Sequence, residues 1–141
     1  MKKLLAFSMV AIFAMALMLT SCGKYDDGPK FSLSGKKSRV VNVWKQEKLF
    51  YNGVEQPVDP NWANESMELT KDYKRIDTYY SNGVTTTSSD VTWAFDSKKT
   101  SIIFSSSGFS FTYKILRLKS NELWLEFTFG TSKSEEHYVS K

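Results

Sequence analysis

From Arg39 onward, hydrophobic and polar residues alternate with a period of two, in short runs separated by clusters of Asn, Gly, Ser and Lys. Such alternation places successive side chains on opposite faces of a β-strand. The clearest run extends from Phe109 to Ile115, and a second one, from Leu123 to Phe129, follows it across a turn at 119–122. The pattern predicts an antiparallel hairpin with one aromatic face.

The rest of the chain from Arg39 repeats this arrangement. Asn52-Gly53 and Asn82-Gly83 predict tight hairpins, because both residue types tolerate positive φ. The other predicted strands run through 41–51, 67–69, 73–80, 91–95, 102–104 and 135–140. A proline-containing loop around Trp62 is ambiguous between helix and coil. Sequential hairpins predict an all-β fold, a single antiparallel up-and-down barrel of about eight strands, because closure removes exposed strand edges.

The interior of this barrel is the open question. Eight strands are just wide enough to be filled by side chains or to enclose one small ligand. By strand phase, the candidate pocket-lining residues are Trp44, Trp93, Phe95, Phe104, Phe111, Tyr113, Leu125 and Phe127. Buried aromatic residues more often belong to a core than to a pocket wall, so the same residues could also fill the barrel completely.

The N-terminus has a different pattern. Lys2 and Lys3 precede an uncharged apolar stretch from Leu4 to Leu19. As a helix this stretch is about 24 Å long, shorter than the roughly 30 Å hydrocarbon core of a bilayer. Residues 1–21 are therefore predicted to be a cleaved signal peptide.

The four residues Leu19-Thr20-Ser21-Cys22 end this stretch. They resemble the lipobox of bacterial lipoproteins. The resemblance implies cleavage before Cys22, a diacylglyceryl group on its sulfur, and acylation of the new N-terminus with a palmitate-like chain. Two or three acyl chains anchor a protein stably, whereas one does not. The alternative is an ordinary signal peptide followed by a chance cysteine.

Residues 22–38 have the composition of a flexible tether, so the barrel domain is assigned to 39–141. Asp26-Asp27 weakly resembles the acidic signal that sends some Bacteroidota lipoproteins to the cell surface; a solvated pair in the tether is the alternative. We expect a cell-envelope protein that is anchored to the outer membrane, on either its periplasmic or its surface-exposed side.

Three segments of the barrel region together carry a second resemblance to a known family. They are Asn42-Val43-Trp44, the run 91–96 (VTWAFD) and the hairpin 113–125 (YKILRLKSNELWL). Together they resemble the lipocalin-like domains of small Bacteroidota lipoproteins, with Asn42 in place of the usual glycine. The resemblance implies an open-ended cup with an apolar pocket, although fold alone does not fix function.

Charge and composition narrow the function further. The chain has 19 basic and 15 acidic residues, and without the two N-terminal lysines its net charge falls to about +2, which gives no reason to expect nucleic-acid binding. Cys22 is the only cysteine, so the barrel has no disulfide, thiolate metal site or cysteine nucleophile.

Catalytic chemistry has little support. His137 is the only histidine, and no nucleophile elbow or phosphate-binding glycine loop is present. The carboxylates Glu68, Asp77 and Glu126 lie at alternating polar positions and are expected on solvated faces. We therefore expect neither an enzyme nor a bound metal or cofactor.

Two functions remain in close competition. The first is a module that binds a small apolar or amphipathic ligand, which requires a cavity of a few hundred Å³. The second is a structural or interaction lipoprotein with a solid core, in which Trp62 and Trp124 would anchor an envelope partner. The first is ranked slightly higher.

Overall fold

The computed structural model describes residues 35–141. It contains a short helix α1 and nine strands: α1 Lys36–Val40, β1 Asn42–Tyr51, β2 Val54–Gln56, β3 Ser66–Leu69, β4 Lys74–Ser81, β5 Val84–Phe95, β6 Ser101–Ser106, β7 Phe109–Leu118, β8 Glu122–Phe129 and β9 Ser132–Ser140. A 3-10 helix, Pro60–Asn64, lies between β2 and β3. No helix among the described residues is long and apolar enough to cross a membrane. The predicted signal peptide, Cys22 and most of the tether lie outside this range.

All nine strands belong to one antiparallel sheet in the order β2-β1-β3-β4-β5-β6-β7-β8-β9. The sheet closes because β1 also pairs with β9, from Trp44 opposite Ser140 to Tyr51 opposite Ser134. Eight strands therefore form the barrel and β2 is an addition to it. This confirms the predicted all-β, eight-stranded antiparallel barrel.

Both predicted Asn-Gly turns are present. Asn52 and Gly53 have φ values of 49° and 80°, and Asn82 and Gly83 have values of 52° and 78°. Two consecutive residues with positive φ match the right-handed twist of the flanking strands. These turns, with those at Gly108 and Gly130, lie at one end of the barrel, which we call the mouth.

The opposite end is closed by α1. The Arg39 guanidinium donates a hydrogen bond of 2.5 Å from Nη1 to the carbonyl of Leu118, at the end of β7. The indole Nε1 of Trp44 donates to the carbonyl of Val40 at 2.9 Å. Because Val40, Trp44 and Leu118 are fully buried, the helix seals this end of the barrel.

The hydrophobic core fills the half of the barrel next to α1. Its buried members come from α1, β1, β3 and β5 through β9. They are Val40, Trp44, Met67, Leu69, Trp93, Ile102, Phe104, Ile115, Leu118, Leu123, Leu125 and Tyr138.

One part of the barrel wall is not made of a strand. On the side of β1 away from β9, β3 pairs with residues 42–44 and β2 pairs with residues 49–51. The 3-10 helix lies between these two segments and contacts both β1 and β4. Asp59 caps it, accepting a hydrogen bond from the backbone N–H of Asn61 at 2.8 Å.

Three local features were not predicted from the sequence pattern. α1 lies across the proposed boundary between tether and barrel at 38/39. β5 begins at Val84 rather than Val91, because residues 84–88 pair with β4 even though the run 85–90 is entirely polar. The ambiguous loop around Trp62 contains the 3-10 helix.

Candidate functional site

The eight predicted lining residues fall into two groups. Four of them lie in the filled half and are at most 3% exposed; these are Trp44, Trp93, Phe104 and Leu125. Phe95 packs against this core, with its ring edge-on to Trp93 at 5.6 Å. The structure therefore places these five residues in the packed core or against it. This is the arrangement expected if the side chains fill the barrel.

The other three lie together nearer the mouth. The ring centroid of Phe127 is 5.8 Å from that of Phe111 and 5.1 Å from that of Tyr113. Tyr113 in turn meets the buried ring of Phe104 edge-on at 5.4 Å. A continuous line of aromatic contacts thus leads from the core toward the mouth.

Beyond these residues, the inner face of the barrel remains apolar but is exposed. Phe109 and Phe111 share the face of β7 that carries buried Ile115, and Phe129 shares the face of β8 that carries buried Leu125. Their exposed fractions are 70%, 50% and 79%. Pairing places Tyr51, Val54, Tyr79 and Val84 on the same inward face near the mouth. These seven account for all but two of the nine exposed large hydrophobic side chains in residues 35–141.

A polar layer separates the filled core from this exposed apolar row. The Nε of Arg75 donates to both carboxylate oxygens of Asp77 at 2.9 Å. The guanidinium carbon of Arg75 also lies 4.6 Å from the ring centroid of Phe104. Asp77 is buried, so the expectation that it lies on a solvated face was wrong: its side chain is on the inward face and its charge is balanced by Arg75.

A second carboxylate, Glu136, lies in the same layer. It accepts a hydrogen bond of 2.5 Å from the hydroxyl of buried Tyr138. Burial raises the pKa of Glu136, and the Tyr138 hydrogen bond and the charge of Arg75 offset this only in part. Burial, together with the nearby charge of Glu136, also raises the pKa of Tyr113 and of Tyr138. The layer thus disfavours additional negative charge.

A cleft of about 110 Å³ enters this layer from the side of the 3-10 helix. Its wall is formed by polar and apolar side chains from β1, β3, β4 and β9 together with Trp62 and Glu65. The lining includes Trp44, Gln46, Trp62, Met67, Arg75, Asp77, Tyr79 and Tyr138. Its volume is below the range of about 300–1,000 Å³ typical of pockets that enclose a whole drug-sized ligand. It has room for a head group rather than for a complete ligand.

The two tryptophans proposed as docking anchors have different surroundings. Trp62 lines the cleft. Trp124 is half-buried on the outer face, where its ring stacks on that of His137 with centroids 3.9 Å apart and planes 3° apart. The guanidinium of Arg117 lies 4.6 Å from the Trp124 centroid, and Glu135 contacts Nε2 of His137 at 2.5 Å. Trp124 and His137 therefore belong to a packed cluster on the outside of the barrel.

The remaining acidic candidates do not converge. Glu126 lies on the outer face and pairs with Lys133 at 3.4 Å, whereas Glu68 is in β3. Among residues 35–141, no group of three His, Cys, Asp or Glu side chains is placed to hold a metal ion.

Comparisons with known proteins add no assignment. No family model matches the chain, and no curated protein matches it.

The polar layer was not predicted, although its signal is present in the sequence. Glu136 is two residues from Tyr138 and therefore lies on the same face, and Arg75 is likewise in phase with Asp77. Because polar residues were assigned to the solvated face, their shared phase with hydrophobic neighbours was overlooked.

The buried carboxylate generates a prediction about stability. Because the pKa of Glu136 is higher in the folded than in the unfolded state, its stabilising contribution is present below the unfolded pKa and is lost as pH rises through the folded pKa. Glu136→Gln should therefore raise Tm at pH 8 by about 4 °C, which corresponds to about 1 kcal/mol for a domain of this size. The gain should shrink toward pH 4.

Thermal melts followed by circular dichroism at both pH values would measure this effect. Glu135→Gln is the matched control, because Glu135 is adjacent in sequence but lies on the outer face beside His137. A gain from Glu136→Gln that is equal at the two pH values would contradict the prediction.

Proposed function

We propose that this chain is a lipid-anchored envelope protein whose barrel binds a small hydrophobic or amphipathic ligand through its mouth. The observation that carries the proposal is the row of exposed apolar side chains on the inward face of the mouth, including Phe109, Phe111 and Phe129. The proposal involves no catalytic step.

The position of this row favours a ligand. Isolated exposed hydrophobic residues are common on protein surfaces, but a contiguous apolar patch marks an interaction site. Here the patch is on the concave side of a closed sheet, continuous with the aromatic contacts of Phe127 and Tyr113. Concave, mostly apolar surfaces with a few polar groups at their base are typical of small-molecule sites.

The anchor is proposed from the sequence. The Leu19-Thr20-Ser21-Cys22 motif supports lipidation, and the apolar segment before it supports export. The chain enters the barrel through α1, at the end opposite the mouth. The 14 residues from Cys22 to Gly35 can span at most about 45 Å. The proposed lipid anchor is therefore joined to the closed end of the barrel rather than to its mouth.

The second candidate is an interaction lipoprotein without a ligand. The outer cluster of Trp124, His137 and Arg117 favours it, because Trp and Arg are enriched in interface hot spots. Under this alternative, substitutions on the outer face would abolish partner capture from detergent-solubilised envelope, and the mouth would bind no hydrophobic probe.

Replacing Cys22 by Ser should abolish membrane attachment, because the serine hydroxyl is not the thiol to which lipid is added. We expect the Cys22→Ser protein in the soluble fraction or as an unprocessed precursor. Membrane fractionation and intact-mass measurement would show the change. Unaltered retention and mass would contradict the proposed anchor.

The mouth should bind the neutral fluorophore N-phenyl-1-naphthylamine, and Phe111→Ala should weaken this binding by about fivefold. The reason is that about 1 kcal/mol of apolar contact with the ring is lost. A fluorescence titration of the mature chain carrying Cys22→Ser would measure the affinity.

Tyr73→Ala provides a matched control, because Tyr73 is also about half exposed but precedes β4 at the closed end. Equal loss of binding in both variants, or no loss in either, would argue against the mouth as the site. No binding to the parent protein would contradict the proposed function itself.

A further inference from the structure

The polar layer at the base of the proposed site contains more acidic than basic side chains. Three ionisable side chains other than tyrosine lie on the inward face between core and mouth, and these are Arg75, Asp77 and Glu136. Two are acids and one is a base. Ionised together, they leave one negative charge without an opposite charge in the layer.

Arg75, the one basic side chain of this layer, already forms an ion pair with Asp77. Nε of Arg75 bonds to both oxygens of Asp77, and its guanidinium lies against the face of Phe104. This geometry makes Arg75 and Asp77 a neutral pair. Because Asp77 already balances the charge of Arg75, a ligand carboxylate in this layer would be a third acid beside a single base.

The Glu136 carboxylate has fewer hydrogen-bond partners than it can accept. An ionised carboxylate can accept about four hydrogen bonds. The hydroxyl of Tyr138 is the only hydrogen-bond donor found for Glu136 among the described residues. In the sheet, Glu136 lies between its cross-strand partners Leu49 of β1 and Leu125 of β8. A hydrogen-bond donor from a ligand would add a bond that Tyr138 does not supply.

The layers of the barrel also fix the orientation of a ligand. The inward face near α1 is filled by the core, the polar layer comes next, and the exposed aromatic row lies at the mouth. The 110 Å³ cleft reaches Arg75, Asp77 and Tyr138 of this layer from the side of the 3-10 helix rather than from the mouth. An amphipathic molecule that enters through the mouth, with its apolar part against Phe111 and Phe127, would bring its head group to the same polar layer.

We propose that the ligand is an amphipathic molecule with a cationic or hydrogen-bond-donating head group, such as a primary amine, and that Glu136 receives this head group. The inference rests on the proposed function and specifies its ligand class. An ammonium group supplies the charge that the layer lacks and donates to the free lone pairs of Glu136. A fatty acid brings a second uncompensated carboxylate into the same layer and is excluded by repulsion.

The test compares three probes with the same alkyl chain: decylamine, decanol and decanoate. Each is titrated by calorimetry at pH 7 into the mature chain carrying Cys22→Ser, below the concentration at which the probe aggregates. We expect decylamine to bind about tenfold more tightly than decanol, because a charge-assisted hydrogen bond replaces a neutral one. Decanoate should bind most weakly.

Glu136→Gln should reduce the difference between decylamine and decanol to about twofold or less, with little change in the affinity for decanol. Glu135→Gln, on the outer face, should retain the full preference for the amine. Retention of the preference in Glu136→Gln would overturn the role of Glu136. The ranking of the three probes on the parent protein tests the ligand class without any change in the barrel.

The outcomes separate this inference from the proposal on which it depends. Binding of all three probes with equal affinity, or tightest binding of decanoate, would overturn the inference while supporting a ligand-binding mouth. Failure of every probe to bind would overturn both.

Discussion

The pairing of β1 with β9 is the constraint on which the rest of this structure depends. It converts an open meander into a closed ring of fixed width. Each strand of the barrel is therefore paired, over at least part of its length, on both of its edges. A shift in register between Gln46 and Lys48 lets β1 follow β9 while its other side pairs with β3 and then with β2. Once the ring is closed, the inward side chains alone determine how much of its interior is solid.

The interior is filled unevenly, and the proposed function follows from that unevenness. Near α1, the inward side chains of Trp44 and Trp93 are almost completely buried. Toward the mouth, the inward row continues with Phe111, which is half exposed, and Phe129, which is 79% exposed. The Arg75–Asp77 pair and Glu136 lie at the transition between these regions. A buried polar layer below an exposed apolar wall is chemically suited to an amphipathic molecule, whose two parts require different surroundings.

Much of the fold could be predicted from the sequence because period-two alternation reports which face a residue occupies. The β7–β8 hairpin and both Asn-Gly turns are clear for this reason. Depth along the barrel axis leaves no such signal: Phe104 and Phe111 are cross-strand partners on the same inward face, yet one is core and the other is half exposed.

The first half of β5 also escaped prediction, because residues 85–90 are all polar and the strand is specified by its pairing with β4. Inward polar residues such as Asp77 were missed because polarity was equated with solvent exposure.

The central claim is that the mouth of the barrel holds a small molecule. Native mass spectrometry of the mature, Cys22→Ser chain isolated from cells without denaturation tests it most directly. We expect a mass above that of the polypeptide, with an adduct of a few hundred daltons that is lost on collisional activation and lost after delipidating extraction. The bare polypeptide mass, unchanged after incubation with an extract of envelope lipids and metabolites, would contradict the claim.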